Sequence, residues 1–218
     1  MKKLFVCALA VAMVFAFTAP TMAADWNFYG NVQFQTFFVD NDPKVAGQES
    51  DTDTSWAMEG ISRFGGKVAS GDITANYEIK ALANTTNGVG LRHLYGEWNF
   101  GAGKLLIGQT WAIVMSLISG QQAASTGMNG YGALYHDRAA QIRLTFGGLK
   151  IGFLTPNVAN NVIATNDVDI TLPKIELAYR FATDMFWVEP FLGYQSYDIQ
   201  YSAATATTDV TSMIYGLK

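Results

Sequence analysis

The chain is poor in the residues that build catalytic and metal centres. It has one cysteine, Cys7, and two histidines, His93 and His136. Cys7 lies inside the apolar stretch 4–17, too early for a lipid-modified N-terminus. If that stretch is removed, the rest of the chain has no cysteine, which excludes disulfides, thiol catalysis and cysteine metal sites together. Neither histidine has a paired ligand nearby in sequence, so each reads as a polar wall or loop residue rather than a catalyst. There is no Gly-x-Ser-x-Gly elbow and no zinc-binding helix motif. No cofactor and no metal is expected. Apart from Lys2-Lys3, the 14 Lys and Arg are scattered singly against 18 Asp and Glu, a formal charge of −4. Without a basic block, nucleic acid is not an expected partner. After residue 23 no apolar run approaches the roughly 20 residues that a membrane helix needs.

The N-terminus has the layout of an export signal. Lys2 and Lys3 precede the apolar run 4–17, which is too short to span a bilayer as a helix. Pro20 breaks it, and Thr21-Met22-Ala23 places small residues where a signal peptidase reads. Cleavage is expected after Ala23 or one residue later, leaving 24–218 as the mature part. Removal of Lys2 and Lys3 makes that part more acidic still.

What the mature part has in abundance is alternation. Trp26, Phe28, Gly30, Val32, Phe34, Thr36 and Phe38 lie on one face of an extended segment, with Asn27, Tyr29, Asn31, Gln33 and Gln35 on the other. A period of two makes a strand with one apolar and one polar side. Similar segments are expected near 55–69, 73–84, 89–100, 104–110, 138–146, 149–155, 170–181, 185–197 and from Val210 onward. In the second, Trp56, Met58, Gly60, Ser62, Phe64 and Val68 share the apolar side, and Glu59, Ile61, Arg63 and Lys67 the polar one. Arg92 breaks the fourth pattern near its loop end, where a long side chain can snorkel to water. The fifth contains Leu105-Leu106-Ile107, so its faces stay unassigned.

The connections sort by length. Those at 70–72, 101–103, 147–148 and 182–184 are tight turns, whereas 40–54, 111–136, 156–169 and 198–209 are long; 85–88 is the short exception. Short turns at one end and long loops at the other characterise membrane β-barrels, whose strands cannot leave an edge unpaired in lipid. Aromatics among the strands, with Trp187, Tyr194 and Tyr197 close together, suit interfacial girdles. The reading is an all-β, transmembrane antiparallel barrel. Asp40, Asp42, Glu49, Asp51 and Asp53 could offer oxygen ligands, but neither a glycine nor a closing glutamate falls in calcium-loop register, so they read as a solvated outer loop.

Several segments resemble the Gram-negative outer-membrane general porin family. They are Asp25-Trp26-Asn27-Phe28-Tyr29-Gly30 after the signal, Ser62-Arg63-Phe64-Gly65-Gly66-Lys67, and the run 90–109 through Gly96-Glu97-Trp98-Asn99-Phe100 and Gly108-Gln109. The resemblance spans 25–218. It implies a sixteen-stranded barrel, a homotrimer in outer-membrane lipid and lipopolysaccharide, and a channel for ions and small hydrophilic solutes. It also implies that the loop after the fifth strand folds inward as a constriction, with Trp111, Met115, Gln121, Tyr131 and Tyr135 as its candidate residues. The chain departs from the family in three ways. Residues 112–136 hold no acid, the fifth strand ends Gly108-Gln109 rather than Gly-Arg, and about ten strands are present with no terminal aromatic strand. The chain is therefore read as the N-terminal portion of a longer porin, exported by the Sec route to the bacterial outer membrane.

The expected pore-lining charges are Glu59, Arg63, Lys67, Glu78, Lys80, Glu97, Arg143, Lys174, Glu176 and Arg180. Side chains in a narrow channel set ion selectivity at close range. Arg63, Glu78, Lys80 and Arg143 are the candidates for its narrowest point. Two alternatives stay open: a small outer-membrane barrel enzyme, and a soluble extracytoplasmic β-domain that binds ligand. The enzyme would need a Ser/His/acid cluster, for which Ser62 outside and His93 inside are poorly matched.

Overall fold

The computed structural model describes residues 24–41, 47, 49, 51–58, 60, 62–81, 88–115, 134, 137–158, 167–200 and 207–218. The expected signal segment, Glu59, Gln121, Tyr131, Tyr135 and His136 lie outside the described residues.

The described chain is all-β and antiparallel, with no helix. Its strands are β1 (Asp25–Asn31), β2 (Phe34–Asn41), β3 (Asp51–Met58), β4 (Arg63–Ser70), β5 (Ile73–Ala81), β6 (Val89–Asn99), β7 (Lys104–Trp111) and β8 (Arg138–Phe146). Then follow β9 (Leu149–Leu154), β10 (Asp167–Asp169), β11 (Lys174–Tyr179), β12 (Phe181–Ala182), β13 (Trp187–Val188), β14 (Pro190–Gln200) and β15 (Thr207–Leu217). One 11-stranded sheet runs β1-β4-β5-β6-β7-β8-β9-β11-β14, with β10 and β15 also on β14. The pairs β2-β3 and β12-β13 prolong two of its hairpins.

Among the described residues the sheet is open. β1 and β15 each have one paired side, and neither pairs with the other. Ten strands do not close on themselves as a narrow barrel.

As far as they are described, the ten expected segments all lie in the ladder, four of them interrupted. The first two form one long hairpin, β1–β2 against β4–β3, whose register slips between Asn31↔Arg63 and Phe34↔Met58. Ser62 stands at the slip. Its hydroxyl accepts from Gln33 N at 2.9 Å and lies 3.1 Å from Gln33 O. Ser62 is thus buried, and the expectation that it sits on the apolar outer face is corrected. The extra residues of a bulge break the alternation there. The eighth segment is interrupted at 170–173, where Pro173 has no N–H to give the ladder. The last hairpin is longer than expected, pairing Pro190↔Leu217 through Gln200↔Thr207.

Register decides faces, because residues directly opposite share a side of the sheet. One face carries Trp26 (60% exposed), Phe64, Trp98 (51%), Ile107 (41%), Ile142, Phe153, Leu192 and Met213 (62%). No second layer covers it among the described residues. Aromatic contacts run across it, from Trp26 to Phe28 and Phe28 to Phe64, then from Trp98 to Phe100 and Phe100 to Phe146. The other face buries polar groups: Asn76, Glu78, Thr110, Gln141, Lys174 and Glu176. A soluble sheet does the reverse. Leu105 and Ile107 fall on the apolar face and Leu106 on the polar one, since Leu106 lies opposite Glu97 and Arg143.

The tight turn 147–148 places Gly147 at φ 54, a left-handed conformation. Gly147→Val is expected to cost about 1–2 kcal/mol through the Cβ clash of that conformation. It should lower the urea midpoint of the refolded full-length protein, read by tryptophan fluorescence; an unchanged midpoint would show that the turn relaxes freely.

Candidate functional site: the polar face and its strap

The polar face collects every described Lys and Arg. Of the 14 Lys and Arg, only Lys2, Lys3 and Lys44 lie outside the described residues. Arg63, Lys67, Lys80, Lys104, Arg143, Lys150 and Lys174 are placed there by register. Arg92, Arg138, Arg180 and Lys218 reach it by their contacts. The acids divide differently. Glu78, Glu97, Glu176 and Glu189 lie on this face, while the described aspartates sit in turns or toward strand ends.

Each of those four carboxylates has its own cation. Glu78 pairs with the Arg92 guanidinium. Lys104 Nζ lies 3.0 Å from Glu97 Oε1, Lys174 Nζ 2.8 Å from Glu176 Oε1, and Lys218 Nζ 3.0 Å from Glu189 Oε1. Arg92 therefore does not snorkel outward. The β5–β6 register shifts between Glu78↔His93 and Ile79↔Leu91, leaving Arg92 as the extra residue of a bulge. That turns it into the polar face, where it is buried against Glu78.

Around this pair lies a network. His93 Nδ1 is 2.9 Å from Thr110 Oγ1, and Arg138 Nε donates to His93 Nε2 at 3.4 Å. Nε2 thus acts as acceptor, so the imidazole proton sits on Nδ1 and is donated to Thr110. A hydroxyl–imidazole–carboxylate series is present in outline, with Glu78 Oε1 3.9 Å from Nε2. Arg138 also stacks on the Trp111 ring, 3.5 Å from its centroid, and Asp137 lies 2.7 Å from its Nη1. Ser62 is far from this network in role as well as in register, its hydroxyl held by Gln33.

After β7 the chain turns over the polar face. Ala112, Ile113 and Val114 are buried there. Val114 N donates to Glu176 Oε2 at 2.9 Å, and Lys218 Nζ donates to Ile113 O at 3.3 Å. Room for this strap comes from a missing side chain: a Cβ on Gly152 would lie 2.6 Å from Ile113 Cδ1. Glu176 is 0% exposed, so this main-chain anchor of the strap to β11 is also the most deeply buried carboxylate among the described residues.

Beside the strap opens a cavity of about 350 Å³. Trp111, Ile113 and Met115 wall one side; Arg143, Lys150, Arg180, Trp187, Glu189 and Lys218 line the rest. The Arg180 guanidinium carbon stands 4.4 Å from the Trp187 ring centroid.

Of the expected pore-lining residues, those described all fall on the polar face, but not together. Arg63, Glu78 and Lys80 cluster on β4–β5, Arg143 and Arg180 line the cavity, and Glu176, paired with Lys174, anchors the strap. Of the constriction candidates, Trp111 and Met115 are described and line the cavity. Lys150, Glu189, Lys218, Arg92, Arg138 and His93 also belong to the site. For Lys150, opposite Thr145 and Ala178, the signal was available: it keeps the polar parity of β9. Arg92 and Arg138 depend on a bulge and a ring contact that parity cannot supply.

Removing one member of a buried ion pair strands the other, at about 3–5 kcal/mol. Glu78→Ala is expected to lower unfolding stability by about that amount, and the double variant Glu78→Ala with Arg92→Met to recover most of it. A urea titration checks both; a loss no larger than that of an exposed substitution would show that Glu78 does not hold Arg92.

Compared with known proteins, the chain matches no family model, no curated protein and no solved structure.

Proposed function

We propose that the chain forms part of the wall of an outer-membrane porin, a water-filled channel for passive diffusion of ions and small hydrophilic solutes. The observation that carries this reading is the inverted amphipathicity of the sheet. Large apolar side chains stand uncovered on one face, while charged side chains are buried in pairs on the other. Leaving a Leu, Phe or Ile side chain in water forgoes roughly 1.5–3 kcal/mol of burial. An uncovered apolar face of this extent calls for lipid or a partner surface. The buried apolar cluster of Ala112, Ala139 and Leu154 is too slight to be the core of a layered soluble domain.

The lipid reading also accounts for the edges. Backbone groups of β1 and β15 on their open sides need partners wherever they meet hydrocarbon. Further strands would supply them, about six for a sixteen-stranded wall. Trimer formation, contact with lipopolysaccharide, export and a narrowing loop follow from the same family likeness. The strap at 112–115 supports the last, since the chain after β7 does cross the polar face. Nothing in the network around His93 favours an enzyme.

Reconstituted in planar bilayers, the full-length gene product is expected to give stepwise, ohmic conductance; a silent bilayer would reject the pore. A second test addresses the faces. Ile107→Arg on the apolar face is expected to weaken folding into lipid vesicles by about 2–4 kcal/mol, as cations near the bilayer midplane do. Thr74→Arg, opposite Glu97 on the polar face, should leave it nearly unchanged. Equal tolerance at both positions would favour a water-exposed sheet.

A further inference from the structure

We propose that the cavity beside the 112–115 strap is an oxyanion site, taking a compact solute that bears phosphate or carboxylate. Four cations line it: Arg143, Lys150, Arg180 and Lys218. Glu189 is the one acid among its lining residues, and it is already engaged by Lys218 at 3.0 Å. Lys218 also donates to Ile113 O. The other three cations have no carboxylate partner among the described residues.

Bringing three unpaired cations to one wall is unfavourable unless something answers them. Arg143 Nε is shielded from water and has no hydrogen-bond partner among the described residues. A buried donor left unmet costs about 1–3 kcal/mol, more when charged. An oxyanion in the cavity would accept from the guanidinium and ammonium groups that line it, and charge-assisted bonds of this kind are the strong ones. The site is built rather than incidental. Arg143 and Lys150 stand on adjacent strands, at Arg143↔Gly152 and Thr145↔Lys150, and Gly152 leaves the space between them to the strap. The Arg180 guanidinium is held over the Trp187 ring. At about 350 Å³ the cavity admits a phosphate-sized anion with several waters, each needing about 30 Å³. A neutral solute gains nothing from these groups and a cation is repelled.

Binding at the cavity stands on its own geometry. That the channel prefers such solutes rests on the pore reading. The binding test uses the full-length protein in detergent, titrated with inorganic phosphate at fixed ionic strength against chloride, with Trp111 and Trp187 as reporters. A saturable fluorescence change is expected, largely lost in Trp187→Phe. Lys150→Gln and Arg180→Gln should each weaken phosphate about tenfold or more, the loss of one charged hydrogen bond, and Lys150→Arg should retain it. Succinate in place of phosphate is expected to bind with the same dependence on Lys150. Absence of a saturable response, or variants indistinguishable from the parent, would overturn the site. In bilayers, reversal potentials under a KCl gradient should report anion preference, and phosphate should reduce chloride conductance in the parent but not in Lys150→Gln. Conductance with no anion preference would overturn the preference. Phosphate binding without conductance would uphold the site and remove the pore.

Discussion

Hydrogen bonding between neighbouring strands fixes register, and register alone decides which side chains are neighbours. Along the path from β1 to β15, each antiparallel pairing hands its parity to the next strand. Tyr29 lies opposite Gly65, Gly65 opposite Glu78, and Glu78 opposite His93. The ion pairs, the strap and the cavity all depend on that transfer. A slip of one residue anywhere would send a charged set to the apolar side. Two of the places where the ladder slips, at Ser62 and at Arg92, are each secured by a specific bond, to the Gln33 main chain and to Glu78.

Charge is sorted along with polarity. The whole sequence is acidic, at −4, yet the described strands present more cations than acids to the polar face. Aspartates fall near strand ends, where water screens them. The glutamates on the polar face are each matched by one Lys or Arg, so what remains there in excess is positive. Net charge read from composition and local charge at the site therefore have opposite signs.

Much of this was legible in the residues. The alternation that marks β8 gave its bounds, Arg138–Phe146, without adjustment, because Ala140, Ile142 and Leu144 strictly alternate with Gln141, Arg143 and Thr145. The tight turns were legible through Gly, Asp and Ser clusters. Arg92, Ser62 and the faces of β7 were not. Two are set by bulges, which a period-two pattern cannot announce, and the third by the partner strands on either side. The attachment of the strap was not legible either. Its hold on β11 comes from the Val114 main-chain amide, and any residue but proline carries that group. Its seat exists because Gly152 is small, a feature indistinguishable in sequence from a turn glycine.

That main-chain hold has a consequence for variation. Glu176 grips the strap through a group common to nearly all residues, so side chains along 112–115 can change without detaching it. The attachment point is thus encoded apart from the segment it holds, on β11, and what the strap's own side chains must satisfy is the seat left by Gly152.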